Sequence, residues 1–407
     1  MVIASQDLTR WQYRPGPRTT AAIAALLLLV AGIFVHRYVI LHDHPLFWDL
    51  RVYIGAIKAH SLSLDPYLPE VFDFLGVDKQ LKYTSTPLVN DVFGALSRVP
   101  LVETWFEPVF LIIHIGAIIS IVWTLTALFL GTSPTALLLG AAIFSLMFST
   151  AGLNTFAAAN NGTALYGLIV LCVYRGFIQQ RWAAFHACVT LAVAVKPIYA
   201  PLWVIPVFAD RFSLAQLKYA IVGGVVATCS YLAYVLTDPA IVTEWLSNLQ
   251  TQAGQTTNDL GANVFAGVYA ITKSHIWWPV AAQLTCDIAL MVIVLSGHLQ
   301  GRRRWAALIV VAIFLNPRLM AYDAAIASIP IIALAAHVVS IRAGFITRVL
   351  LVTYPLTLGS IVLPYRTIDL VPAAFLQPAL VLVILLLVAT RSWSIGGDAP
   401  ICQRPAI

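Results

Sequence analysis

The sequence predicts an all-α polytopic membrane protein: about 12 transmembrane helices with two long loops on the outer side. Three observations predict it. Of 407 residues, 60% are hydrophobic and 10% charged, and the mean hydropathy is +0.86; an ordinary soluble protein is about 25% charged. The apolar residues gather into runs near the roughly 20 residues that cross a bilayer. Between the runs, nearly every second connection is basic, and most Asp and Glu fall in the others. The net charge of +6 therefore reads as a positive inner face. It does not read as a nucleic-acid surface, because no Lys/Arg run is interleaved with aromatics, and no nucleic-acid partner is expected.

The first predicted span is 20–41, preceded by Arg10, Arg14 and Arg18. The run is long and no small-x-small cleavage site follows, so it reads as a retained signal anchor. The first long loop, 42–107, contains "FWDLRVYIGAIKAHSLSLDPYL" at 47–68. Leu50, Tyr53, Ile54 and Ile57 recur at helical spacing with Arg51 and Lys58 on another face, which predicts a short helix lying at the membrane interface. Asp49 stands at its N-terminal edge. Two readings are open: an N-cap, or an acid held at the membrane surface that accepts a proton from a hydroxyl. Asp65, in "LDPYL", reads as part of the turn closing the helix. Then "LKYTSTPLV" (81–89), with Tyr83, re-enters apolar sequence without spanning, as a re-entrant or interfacial helix does.

Spans follow at 108–130, 135–153 and 162–178. Between the last two stand Asn160, Asn161 and Gly162. Asn-Gly at a helix start supplies a cap and a tight turn; amide side chains there also suit a polar ligand. Spans 182–196 and 198–209 are parted by Lys196-Pro197. A lysine at bilayer depth costs about 2.5–3.5 kcal/mol, so it snorkels, pairs or meets an anion such as a phosphate. Short, Pro-interrupted spans are tolerated where they line a protein cavity.

After span 217–236 comes the second long loop, 237–275, with Asp238, Glu244 and Asp259. Later spans are expected at 276–296, 305–316, 319–338, 345–363 and 370–390. Asp287 is an acid inside the first of these, a functional group or a partner for a cation on a neighbouring helix. In "LNPRLMAYD", Arg318 and Tyr322 are four apart on one helix face, with Asp323 beside them; an Arg–Asp pair is the plain alternative to a site. Arg366 is a further outer cation.

With the N-terminus inside, "GRRRW" (301–305) is inside and both acidic loops are outside. The inner connections are too short for a catalytic domain, so chemistry is expected on the outer face. His42 and His44 have no third near ligand, so neither a metal nor another cofactor is expected. Four of the five cysteines lie in apolar stretches and read as small buried hydrophobes.

"DLRVY…DPY" after the first span, then "YTSTP", "NNG", "KP" and "NPR…YD", resembles in order and placement glycosyltransferase family 87. The resemblance runs from about Asp49 to Asp323. The family contains polytopic GT-C enzymes, among them mycobacterial mannosyltransferases of phosphatidylinositol mannoside and lipoarabinomannan synthesis and an arabinofuranosyltransferase. The resemblance implies a GT-C-like bundle in the cytoplasmic membrane, a polyprenyl-phosphate sugar donor and inverting transfer on the outer side. It implies an essential Asp in the first outer loop, which Asp49 matches. Thr84 to Pro87 stand where the family usually has Tyr-Pro-Pro, and Ala159 to Gly162 where some members have Gly-Gln-x-Asn. These departures bear on the sugar and acceptor more than on the reaction.

The expected partners are thus the lipid-linked donor, a lipid or glycan acceptor, and membrane lipid. Mannose is favoured, arabinofuranose next. Asp49 is the expected base. Lys196, Arg318 and Arg366 are expected at the donor phosphate, and Asn160, Asn161, Tyr322, Asp323 and Tyr83 around the substrates. Two other classes compete: a transporter or flippase of a lipid-linked sugar, and a non-catalytic partner in envelope assembly.

Overall fold

The computed structural model describes residues 17–40, 46–77, 83–259, 264–272, 277–296, 299–316, 319, 321–340 and 384–386. Among them every regular element is a helix and no strand occurs. Among the described residues five helices are long and apolar enough to cross a membrane: Ile23–Ile40, Val102–Phe129, Asn161–Gln179, Leu214–Thr237 and Trp277–Leu295. A bent pair, Pro134–Met147 and Ala151–Ala158, makes a sixth when counted as one span. The expected spans at 182–196 and 198–209 are shorter apolar helices, Ala183–Val195 and Pro197–Phe208, because Pro197 ends the ladder between them. The expected span at 345–363 and nearly all of that at 370–390 lie outside the described residues.

The core is built round the helix Gly301–Phe314, buried without interruption from Ala306 to Phe314. A helix apolar all round has no face for water, so it is surrounded by others. The segment Ser328–Ser340, the helices Trp277–Ser296 and Val204–Phe208 and the 3-10 helix Pro197–Trp203 supply much of that surround.

Segment 42–107 is not an open loop. The helix Trp48–Ser61 is present and buries Leu50, Tyr53 and Ile57, as the spacing predicts. The helices Pro69–Phe74 and Pro87–Leu96 follow. Tyr67, Phe72, Tyr83, Phe93 and Phe106 pack with Tyr53 into a second apolar cluster. Segment 237–275 is helical as well, with Pro239–Asp259 and Val264–Thr272. The first of these helices begins where Asp238 accepts a hydrogen bond from the Ile241 N–H at 3.2 Å, and Trp245 joins the second cluster.

The helix Pro134–Ala158 carries the feature that positions the site. Its two halves meet at 86°. At Gly152 an added Cβ would stand 2.2 Å from the Phe144 carbonyl oxygen, so only glycine lets the second half fold this closely on the first. The second half rests on the first helix of the chain, through Leu153 and Ala157 against Val30 and Tyr38, and Tyr38 donates its hydroxyl to Asn154. It ends at Ala159, in the left-handed region at φ 51°. The next helix starts at once, with Asn160 as its cap.

Candidate functional site

Four breaks in helical structure converge. The first is the start of the helix Trp48–Ser61. Asp49 is not its N-cap; that position is Phe47, at φ 60°, and no side chain caps the helix. Phe47 instead donates its N–H to the Ala157 carbonyl at 2.6 Å, docking this helix on the end of the broken helix. Asp49 lies in the first turn, half-buried.

The second break is the Ala159–Asn160 corner. Asn160 is 5% exposed and its side chain is used at both ends. Its Nδ2 donates to Asp49 Oδ2 at 2.6 Å. Its Oδ1 accepts from the Gly162 N–H at 2.6 Å and from Lys196 Nζ at 3.0 Å. The two bonds to Oδ1 fix which end of the amide faces Asp49. The cap reading of Asn160 therefore holds, and the same side chain also joins Asp49 to Lys196. Asn161 donates its N–H to the Tyr53 hydroxyl at 3.2 Å, and its own Oδ1 is buried without a partner.

The third break is Lys196-Pro197. Lys196 is extended (φ −148°, ψ 116°), as a residue before proline prefers, and heads a 3-10 helix, Pro197–Trp203. Within that helix Tyr199, 1% exposed, rests edge-on against Tyr166 at 4.8 Å. Its hydroxyl has no hydrogen-bond partner and faces Gly162, where a Cβ would come within 2.5 Å of it. The fourth is the short helix Ala321–Ala324. It carries Asp323, 5% exposed and near enough to Tyr199 for its charge to be felt there.

So the structure joins Asp49, Asn160 and Lys196 through one amide, with Asn161 next to it in the chain and the charge of Asp323 felt at Tyr199. Tyr83 is placed differently: 1% exposed, it packs against Tyr67, Phe72 and Phe93, with the Ser85 side chain at its hydroxyl. Burial in an aromatic cluster gives it a packing role. Arg318, Arg366, His42, His44 and the Tyr322 side chain lie outside the described residues. Asp287 is bonded by Gln283, one turn back on its own helix, at 2.7 Å. Among the described residues no three His, Cys, Asp or Glu side chains group as metal ligands.

Two residues of this cluster are absent from the sequence reading as polar groups, Tyr53 and Tyr199. Tyr53 was legible only as part of an apolar face. Burial, and then the charge of Asp49, push its phenol well above the ordinary value of 10, so it remains a neutral hydrogen-bonding group beside the carboxylate. A tyrosine two residues after Lys-Pro is the available signal for Tyr199.

The arrangement offers a carboxylate held by an amide donor, a cation one amide away and neutral phenols around them. It can take a proton at Asp49 and meet negative charge at Lys196. Comparison with protein-family models, with curated proteins and with solved structures finds no match for the chain.

Proposed function

We propose that the protein is a membrane glycosyltransferase that moves a sugar from a polyprenyl-phosphate donor to a lipid or glycan acceptor. In this reading the chain is a bundle of about 12 membrane helices, and segments 42–107 and 237–275 lie outside the cytoplasmic membrane. One observation carries it: Asp49, Asn160 and Lys196, widely separated in sequence, meet through the Asn160 amide at 2.6 and 3.0 Å. Asp49 takes the proton of the acceptor hydroxyl as its oxygen attacks the anomeric carbon. The bond from that carbon to the phosphate oxygen breaks on the opposite face, giving inversion. Polyprenyl phosphate leaves with the electron pair, and Lys196 stabilises the charge that develops on it, with Arg318 and Arg366 assigned to the same task. Mannose is the favoured sugar and arabinofuranose the next.

The test uses purified protein in lipid, a panel of polyprenyl-phosphate sugars and a membrane lipid extract. Mass spectrometry follows polyprenyl phosphate. Release from one donor, abolished in Asp49→Asn, is expected and names the sugar. A second reading is favoured by the break at 86°: carriers also place half-helix ends at a polar site. A flippase would move the lipid-linked sugar across the membrane with the donor intact on both sides and no release, and that result would end the transferase reading.

A further inference from the structure

Lys196 sits just past a helix whose last carbonyls have lost their partners. In a regular helix the Val193 carbonyl would bond the N–H of residue 197, but Pro197 has none. Tyr231, on the helix Leu214–Thr237, supplies the missing donor. Its hydroxyl lies 2.7 Å from the Val193 carbonyl and 2.9 Å from that of Ala194, and donates across the pair. The Tyr231 ring is itself held, stacked on Trp245 with centroids 5.8 Å apart and planes 6° from parallel. Trp245 belongs to the helix Pro239–Asp259 and donates its indole N–H to the Thr84 carbonyl at 3.2 Å. Three residues on, Asn248 donates to the carbonyls of Tyr67 and Tyr83. One run of contacts thus leads from segment 83–86 through Trp245 and Tyr231 to the residues that precede Lys196.

We propose that Tyr231 is a positioning residue for Lys196, and that the helix Pro239–Asp259 holds it in place through Trp245. Tyr231 reaches the two carbonyls before Lys196 and acts through them. It replaces the hydrogen bond that Pro197 forbids, so the helix ends in one conformation and the lysine leaves it in one direction, toward Asn160. The use of that direction, meeting a departing phosphate, rests on the glycosyl-transfer reading; the positioning itself does not.

The experiment trace-labels full-length protein in lipid with an amine-reactive acylating reagent at fixed pH. Peptide mass spectrometry then compares Lys196 with the exposed Lys218 in the wild type and in Tyr231→Phe. Phenylalanine keeps the stack on Trp245 and removes only the hydroxyl. Lys196 labelling is expected to rise about fivefold, the equivalent of about 1 kcal/mol for one lost hydrogen bond, with Lys218 unchanged. A structural role alone would lower the melting temperature and leave Lys196 labelling as it was, and that result overturns the proposal. If Tyr231→Phe does not fold, Trp245→Phe, which loses the bond to Thr84, is read by the same rule. If Lys196 labelling rises while the wild type releases no polyprenyl phosphate from any donor, positioning stands and glycosyl transfer falls.

Discussion

Replacing Asn160 with alanine removes three hydrogen bonds at once. Two involve charged partners, Asp49 at 2.6 Å and Lys196 at 3.0 Å, and such bonds contribute about 1.5–3 kcal/mol each. The third caps the helix Asn161–Gln179, and cap loss costs about 1 kcal/mol. With each taken at its low end, the loss is about 4 kcal/mol. Water recovers little of it, because the side chain is 5% exposed. The assay is unfolding of the purified protein in mixed micelles, followed by tryptophan fluorescence against a denaturing detergent. Asn160→Asp is the companion variant. It keeps an oxygen for Lys196 and for the Gly162 N–H but sets a second carboxylate against Asp49, and two carboxylates this close share one proton. It is expected to lose less stability than the alanine variant while losing polyprenyl phosphate release entirely. A loss under about 0.5 kcal/mol for Asn160→Ala, the range of an ordinary surface change, would refute the reasoning.

Gly162→Ala places a Cβ 2.5 Å from the Tyr199 hydroxyl and 2.8 Å from Asn160 Oδ1. Neither neighbour has room to retreat, so a destabilisation of about 1–3 kcal/mol is expected in the same unfolding assay, with release of polyprenyl phosphate reduced. The helix Pro239–Asp259 is expected to dock less firmly as pH rises. Its Glu244 is raised from an ordinary 4.5 to about 7, first by a hydrogen bond to Asp65, then by burial and by the charges of Asp65 and Asp238. Docked, Glu244 keeps its proton through that window; undocked, it loses it. Docking therefore weakens from about 4.5 to about 7 and is flat above. Amide exchange of 239–249 should show this slope in the wild type and none in Glu244→Gln, which keeps the donor without the charge.

The helical architecture was legible because a bilayer span has a length and a composition, and segments such as 102–129 and 214–237 have both. The segments read as loops were not legible. Tyr67, Phe72, Tyr83 and Phe93 follow no single period, and it is their packing together that makes 42–107 a folded unit. The bend in Pro134–Ala158 was equally hidden, since nothing local distinguishes Gly152 from the other glycines of apolar helices; the Phe144 carbonyl against it belongs to the folded state. At the site, Asp49, Asn160 and Lys196 stood out singly, as polar residues beside apolar runs. Their meeting did not, because it joins positions 111 and 36 residues apart. Asp49 read either as a cap or as a functional acid; Phe47 takes the cap position, and its N–H bonds the Ala157 carbonyl.

That separation along the chain also sets an order of events during synthesis. Asn160 is made 111 residues after Asp49, and Lys196 another 36 after that. At about 5–20 residues per second, the carboxylate waits on the order of ten seconds before its amide and its cation exist. The lysine arrives last, at the end of a helix too short to cross a bilayer by itself. A ribosome-bound chain stopped just before Lys196 would thus carry the acid and the amide without their lysine, with the helix that bears Asp323 still to be made.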